Sequence, residues 1–240
     1  MAQRKKRTWL WRAARVAAAA AFAFVCWEAL TWPRVAALSH RIPETTAFIE
    51  RWKTGQRAAG KSDTPDWRWV PYTAISPHLK RAVLVSEDID FFGHQGFEVV
   101  EIETALKDAF DEQKIPRGAS TITQQVAKNL WLSPSRNPLR KVKEAILTWQ
   151  LERSLDKKRI LEIYLDVAEF GPGIYGAEAA SRRYFGKSAA ELGEREAAQL
   201  AACLPNPGLW HPGGRSSVAV RRTERILGRM AKAQFLWKEI

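Results

Sequence analysis

The chain has 240 residues, 46% of them hydrophobic, with 12 prolines, 14 glycines and a net charge of +12. That length and apolar content suit one large folded domain plus a terminal segment, and they exclude a disordered or low-complexity chain. The charge is uneven: residues 1–15 hold six basic and no acidic residues, and residues 128–159 hold nine basic against three acidic. These two blocks carry the whole excess, which argues against a nucleic-acid partner and for one membrane-facing cluster and one local anion-binding cluster. Cys26 and Cys203 form no disulfide framework, and four scattered histidines suggest no tightly held metal.

The N-terminus runs from Arg4-Lys5-Lys6-Arg7 through Trp9, Trp11, Arg12 and Arg15 into the charge-free stretch Val16 to Trp27. Twelve residues make only ~18 Å of helix, but Trp9 to Trp32 makes ~36 Å, enough to cross a ~30 Å hydrocarbon core if Arg12 and Arg15 snorkel. The reading is a basic cytoplasmic tail over 1–15 and a transmembrane anchor over 16–32. A cleaved signal peptide is the rival, because Val35-Ala36-Ala37 resembles a small-residue cleavage site. The basic tail places the N-terminus in the cytoplasm and the rest outside. Residues 33–72, with six prolines and glycines and no periodicity, read as a linker leading into a domain over 73–240.

Ser76-Pro77 caps a predicted helix that ends at Glu87-Asp88, and an aromatic and glycine turn, Phe91 to Phe97, follows. Further helices are predicted over Glu98 to Glu112, from Ser120 to about Leu132, from Asn137-Pro138, and from the cap Asp156. Gly171-Pro172-Gly173 breaks the last of these. Helices over roughly 174–185, 194–204 and 217–238 complete a mainly α fold with at most a minor hairpin.

Chemistry concentrates in three places. Arg117, Ser120, Thr121 and Lys128 surround a helix start whose first amides and positive dipole end suit a phosphate, and Thr121-x-x-Gln124 also fits a capping box. The basic set Lys128, Arg136, Arg140, Lys141 and Lys143 reads as an anionic-ligand site or a solvated face. Glu87 beside the aromatic turn and Glu144 beside Arg140 and Lys141 are two carboxylates in unlike surroundings, the arrangement that acid/base work at a sugar centre requires. His94, between glycines, reads as a structural hydrogen-bonder. Leu130-Trp131-Leu132 and the segment 99–115 read equally as membrane-interface or core residues.

Taken together, Glu87 to Gly96, Arg117 to Asn129, Arg140 to Glu144, Lys158 to Asp166, Gly171 to Gly176 and Tyr184 to Lys187 closely resemble the successive motifs of bacterial peptidoglycan glycosyltransferases, glycosyltransferase family 51. The resemblance covers about residues 70–210 and looks like the monofunctional biosynthetic form, without a transpeptidase domain. It implies a lysozyme-like fold that polymerises lipid II into β-1,4-linked glycan strands by inversion, releasing undecaprenyl pyrophosphate. Glu87 matches the family's general base and Glu144 its second essential carboxylate. Lys128 and Arg136 match donor-site cations, and Ser120, Gln124 and Gln125 would help hold the donor. No cofactor is implied beyond a stimulatory divalent cation, Mg or Mn. Implied partners are lipid II, the growing strand, the bilayer and other cell-wall synthesis or division proteins, with the catalytic domain on the periplasmic side of the inner membrane. Asp166 departs from the family's Tyr-Leu-Asn motif. A lytic muramidase of similar fold and a non-enzymatic membrane-anchored scaffold are the competing readings.

Overall fold

The computed structural model describes residues 2–97, 120–133 and 138–240, in two compact units, Met1–Arg34 and Val35–Ile240. The first unit is one helix, α1 (Ala2–Leu30). Val16, Phe22, Val25, Trp27 and Leu30 stand 61–85% exposed along it. Side chains this apolar and this exposed suit a lipid solvent, and Ala14–Ser39 is the one stretch among the described residues long and apolar enough to cross a membrane.

The second unit is mainly helical from its first residues. The presumed linker is more ordered than its prolines suggest. It contains α2 (Ala47–Ala58), started by Thr46, whose hydroxyl accepts the Ile49 amide at 3.1 Å. Strand β1 (Asp66–Trp67) follows. α3 (Pro77–Glu87) begins as predicted, with Ser76 Oγ accepting from His78 N. All seven residues from Leu79 to Val85 are buried, Lys80 and Arg81 among them, so α3 is enclosed nearly all round and runs through the core. Its buried Arg81 donates to the Met230 carbonyl and lies over the Trp237 ring.

Beyond the aromatic turn come α4 (Ile122–Trp131), α5 (Pro138–Ser154) and α6 (Lys157–Val167), the last capped by Asp156, which accepts the Arg159 amide at 2.7 Å. α4 packs on both α5 and α6. The predicted minor hairpin is present as β2 (Glu169–Gly171) and β3 (Ile174–Tyr175), antiparallel around Pro172-Gly173. β1 adds to β3 in parallel, Asp66 opposite Ile174 and Trp67 opposite Tyr175. Then follow α7 (Ala177–Phe185), α8 (Glu194–Cys203), the single turn α9 (Pro207–Trp210) and α10 (Ser217–Lys232). α8 packs against α3 and α10. Each fully buried Leu, Ile or Phe of this core contributes about 1.5–3 kcal/mol. Leu130 and Leu132 belong to it, so neither reaches a membrane interface. The predicted helix over 98–112, the segment 99–115, Arg117 and Arg136 lie outside the described residues.

Residues 66–72 are stapled to α6 by its acids. Asp166 accepts the Val70 amide on Oδ1 at 3.1 Å, and its carbonyl accepts the Trp67 indole at 2.7 Å. Glu162 accepts the Tyr72 amide at 3.0 Å and the Trp69 indole at 3.2 Å. Gly176 lets these chains close up: its φ is +85°, and a Cβ there would lie 2.8 Å from the Asp166 carbonyl oxygen. Asp166 is fully buried, and its Oδ2 has no partner. Burial pushes its carboxyl up to about 8, with Glu162 adding to the shift and the Val70 amide opposing it. A carboxyl that keeps its proton at neutral pH offers one donor and one acceptor, as an asparagine amide does, so the departure from the motif adds no full charge there.

Candidate active site

Hydrogen bonds tie the end of α3 and the aromatic and glycine turn after it to the start of α4. Asp88, buried at the end of α3, accepts the Ile122 amide on Oδ2 at 2.9 Å and meets His94 Nε2 on Oδ1 at 2.9 Å. The Gly96 amide donates to His94 Nδ1, so the ring proton on Nε2 points at Asp88. The Thr121 hydroxyl donates to the Gly96 carbonyl at 2.8 Å. Gly96 has φ +85°, and a Cβ there would sit 2.7 Å from Thr148 Cγ2, so only glycine fits. His94 is thus the structural hydrogen-bonder that its glycines suggested.

The same contacts bear on the α4 start, which the sequence offers both as a phosphate cradle and as a capping box. Thr121 and Gln124 form the capping box, with Thr121 Oγ1 accepting the Gln124 amide and Gln124 Oε1 accepting the Thr121 amide. Asp88 takes the Ile122 amide. A helix start can give each amide once, and here the protein's own oxygens hold three of them. Thr121, 2% exposed, and Gln124 thus hold the helix start together. Ser120 is exposed, and its carbonyl accepts Gln125 Nε2 at 3.4 Å.

Glu87 sits one residue before Asp88, at the last turn of α3, with its side chain 13% exposed. Its surroundings are polar, although the sequence placed it beside aromatic residues. Oε1 accepts from Ser86 Oγ at 2.9 Å and from Arg222 Nη2, on α10, at 3.2 Å. Oε2 accepts from Gln125 Nε2, on α4, at 3.3 Å. Gln125 is oriented in turn by Tyr164 of α6, whose hydroxyl donates to its Oε1 at 3.1 Å. Four helices thus converge on one carboxylate. Arg222 and Tyr164 were not singled out from the sequence: one is an arginine in an arginine-rich helix, the other a core-facing tyrosine, and only the tertiary structure aims them here.

The second carboxylate lies on the inner face of α5. Glu144 is 3% exposed and accepts from Arg140 Nη1 at 2.7 Å, one turn before it, and from Lys141 Nζ at 2.6 Å. Thr123, also on α4, donates to Glu152 one stripe further along α5. Lys128, on α4, feels both acids. Burial lowers its ammonium pKa, Glu144 opposes that, Lys141 and Arg140 reinforce it, and Glu87 opposes it again. The sequence could not show that Glu87 and Glu144 share a site; both fields reach Lys128. Among the described residues no three His, Cys, Asp or Glu side chains cluster to hold a metal ion. The site can take a proton at Glu87 and stabilise negative charge at Lys128, Arg140 and Lys141.

The chain is similar to known proteins over most of its length. The family described as Transglycosylase matches residues 54–231. A biosynthetic peptidoglycan transglycosylase of Nitrosospira multiformis is 38% identical over 227 residues, spanning 95% of this chain and 97% of the relative. Proteins of the same name from Azoarcus sp. and Thiobacillus denitrificans are 44% and 43% identical over 230 residues, covering 94% and 92% of this chain and 97% and 94% of theirs.

Proposed function

This chain belongs to the transglycosylase family, and we propose that it works as a peptidoglycan transglycosylase that polymerises lipid II into β-1,4-linked glycan strands with release of undecaprenyl pyrophosphate. Glu87 is the general base. It takes the proton from the 4-hydroxyl of the acceptor GlcNAc as that oxygen attacks the donor's anomeric carbon from the side opposite the pyrophosphate. The C–O bond to the phosphate breaks with inversion, and the electron pair leaves with the pyrophosphate. A positioned base contributes roughly 10²–10⁴-fold to such a step.

The leaving group gains charge in the transition state, so the cations around Glu144 act there. Lys128 is the principal one, because burial makes its field stronger than that of a solvated lysine. Arg140 and Lys141 stand beside it, held by Glu144, whose part is to orient them. Ser120 and Gln125 border the donor, and Arg117 and Arg136 join the cationic set by resemblance to the family. A divalent cation, where one stimulates the reaction, arrives with the pyrophosphate. α1 keeps the enzyme beside a substrate that never leaves the bilayer, N-terminus in the cytoplasm and domain on the periplasmic side.

The observation that carries this reading is that α4, whose Gln125 donates to Glu87, packs on α5, which carries Glu144 with Arg140 and Lys141, so the base and the cation cluster flank one helix. The test is polymerisation of purified lipid II by the full chain, with and without EDTA. Wild-type protein should yield long strands and Glu87→Gln none. Unaltered strand formation by Glu87→Gln would remove the base assignment. Release of soluble fragments from preformed peptidoglycan, with lipid II untouched, would point to a muramidase, and no turnover on either substrate to a scaffold.

A further inference from the structure

The two oxygens of Glu87 are not equivalent. Oε1 receives Ser86 Oγ at 2.9 Å and Arg222 Nη2 at 3.2 Å. Arg222 Nη2 also donates to Ser86 Oγ at 3.2 Å, so Arg222, Ser86 and Oε1 close a three-membered hydrogen-bonded ring. Oε2 receives only the 3.3 Å contact from Gln125 among the described hydrogen bonds. A carboxylate oxygen accepts two hydrogen bonds comfortably. Oε1 is therefore filled by the protein, and Oε2 keeps a lone pair for a proton.

Arg222 is well supported for such a task. It sits on α10, whose inner residues Thr223, Ile226 and Met230 are buried. α10 packs on α3 and α8, and Arg81 of α3 ties to the Met230 carbonyl. Arg222 Nε is buried without a partner, so the side chain is drawn inward although no acceptor meets that nitrogen. The charged or titratable groups whose fields meet Glu87 are Arg222 from α10, Lys128 from α4, Tyr164 from α6 and Cys203 from α8. Arg222 alone among them forms an ion pair with it.

We propose that Arg222 is a positioning residue for the base: with Ser86 it saturates Oε1 and so presents Oε2 to the acceptor hydroxyl. The proposal rests on the reading of Glu87 as the base. Arg222 touches neither substrate nor the transferred proton; it sets the rotation of the carboxylate. Misplacing a reacting group by about 1 Å costs on the order of 10²-fold in rate, so loss of this clamp falls in the turnover step and leaves substrate binding alone.

The test compares full-length wild type, Arg222→Gln, Arg222→Lys, Ser86→Ala and Glu87→Gln on lipid II, with thermal melting of each. Arg222→Gln should lower kcat roughly 10- to 100-fold with KM and melting temperature unchanged. Arg222→Lys, which restores a cation to Oε1, should recover part of the loss, and Ser86→Ala should show a smaller fall in kcat alone. Unchanged kcat in Arg222→Gln, or a loss that moves KM and melting together and is not relieved by lysine, overturns the proposal. Should Arg222→Gln fail to fold, the kcat of Arg222→Lys and Ser86→Ala decides: a fall at constant KM supports the clamp and wild-type values overturn it. If Glu87→Gln kept turnover, the base reading and the clamp would both fall; if Glu87→Gln is dead and Arg222→Gln is normal, only the clamp falls.

Discussion

Two pairs of acids in this domain meet unlike partners, which suits them to unlike uses. Glu87 and Glu144 meet cationic side chains, Arg222, Arg140 and Lys141, and the fields of both acids reach Lys128. Glu162 and Asp166 meet fixed groups of one segment, the amides of Val70 and Tyr72 and the indoles of Trp67 and Trp69, with Arg159 as the one cation on Glu162. The cations held by Glu144 can turn part of their charge to an arriving anionic ligand, while Arg222 keeps its grip on Glu87. Acids satisfied by backbone amides from residues 90–100 positions away cannot let go without releasing the segment. The first pair is therefore suited to chemistry and the second to holding residues 66–72 on α6.

The comparison breaks first at Glu87. Glu87→Gln should reduce lipid II polymerisation by about 10²–10⁴-fold with an unaltered circular dichroism spectrum and melting temperature. A variant that unfolds would move Glu87 into the structural pair. Next comes Lys128→Ala, expected to lower kcat about 10²–10³-fold, as loss of a preorganised charge stabiliser does. Lys128 also has a pH signature. Its folded pKa lies below the ordinary lysine value, so its charge is lost earlier than usual as pH rises. Lys128→Arg, which stays charged, should hold turnover further into the alkaline range than wild type, measured as initial rate against pH.

Thr121→Val gives a smaller effect of a different kind. It removes the capping hydroxyl and its bond to Gly96, which should cost about 1–2 kcal/mol in chemical denaturation. KM for lipid II should stay put; a raised KM with unchanged stability would return Thr121 to the donor site. The smallest change is expected at Asp166. Its folded pKa, about 8, lies above the ordinary 3.8, so its stabilising protonated form is complete at pH below about 4 and is lost as pH rises through about 8. Asp166→Asn should keep activity and flatten that part of the stability curve, melting higher than wild type at pH 8. Equal pH slopes in the two proteins would show that Asp166 does not carry its proton in the folded state.

Much of the fold was legible because helix caps and punctuation are local. Ser76-Pro77, the Thr121 and Gln124 box, Asp156 and Gly171-Pro172-Gly173 each act within a few residues of themselves, and the structure has each where the spacing put it. The order in residues 33–72 was not legible: α2 hides among prolines and glycines that flank it, and β1 has only two residues, stable because β3 lies beside it. At the site, residue types were legible and partners were not. Thr121 fitted both a ligand group and a cap, and only the structure shows Asp88 and Gln124 on the amides around it.

The sequence by itself determined the apolar helix, the mainly helical class, the family and the two acids worth attention, because hydropathy, capping and motif spacing are properties of neighbouring residues. Only the tertiary structure decided that Arg222 meets Glu87, that Tyr164 steers Gln125, that Lys128 feels two acids at once, and that the α4 amides are already taken. Those contacts join residues up to 135 positions apart, and their geometry is set by how α3, α4, α6 and α10 pack, which no local pattern encodes.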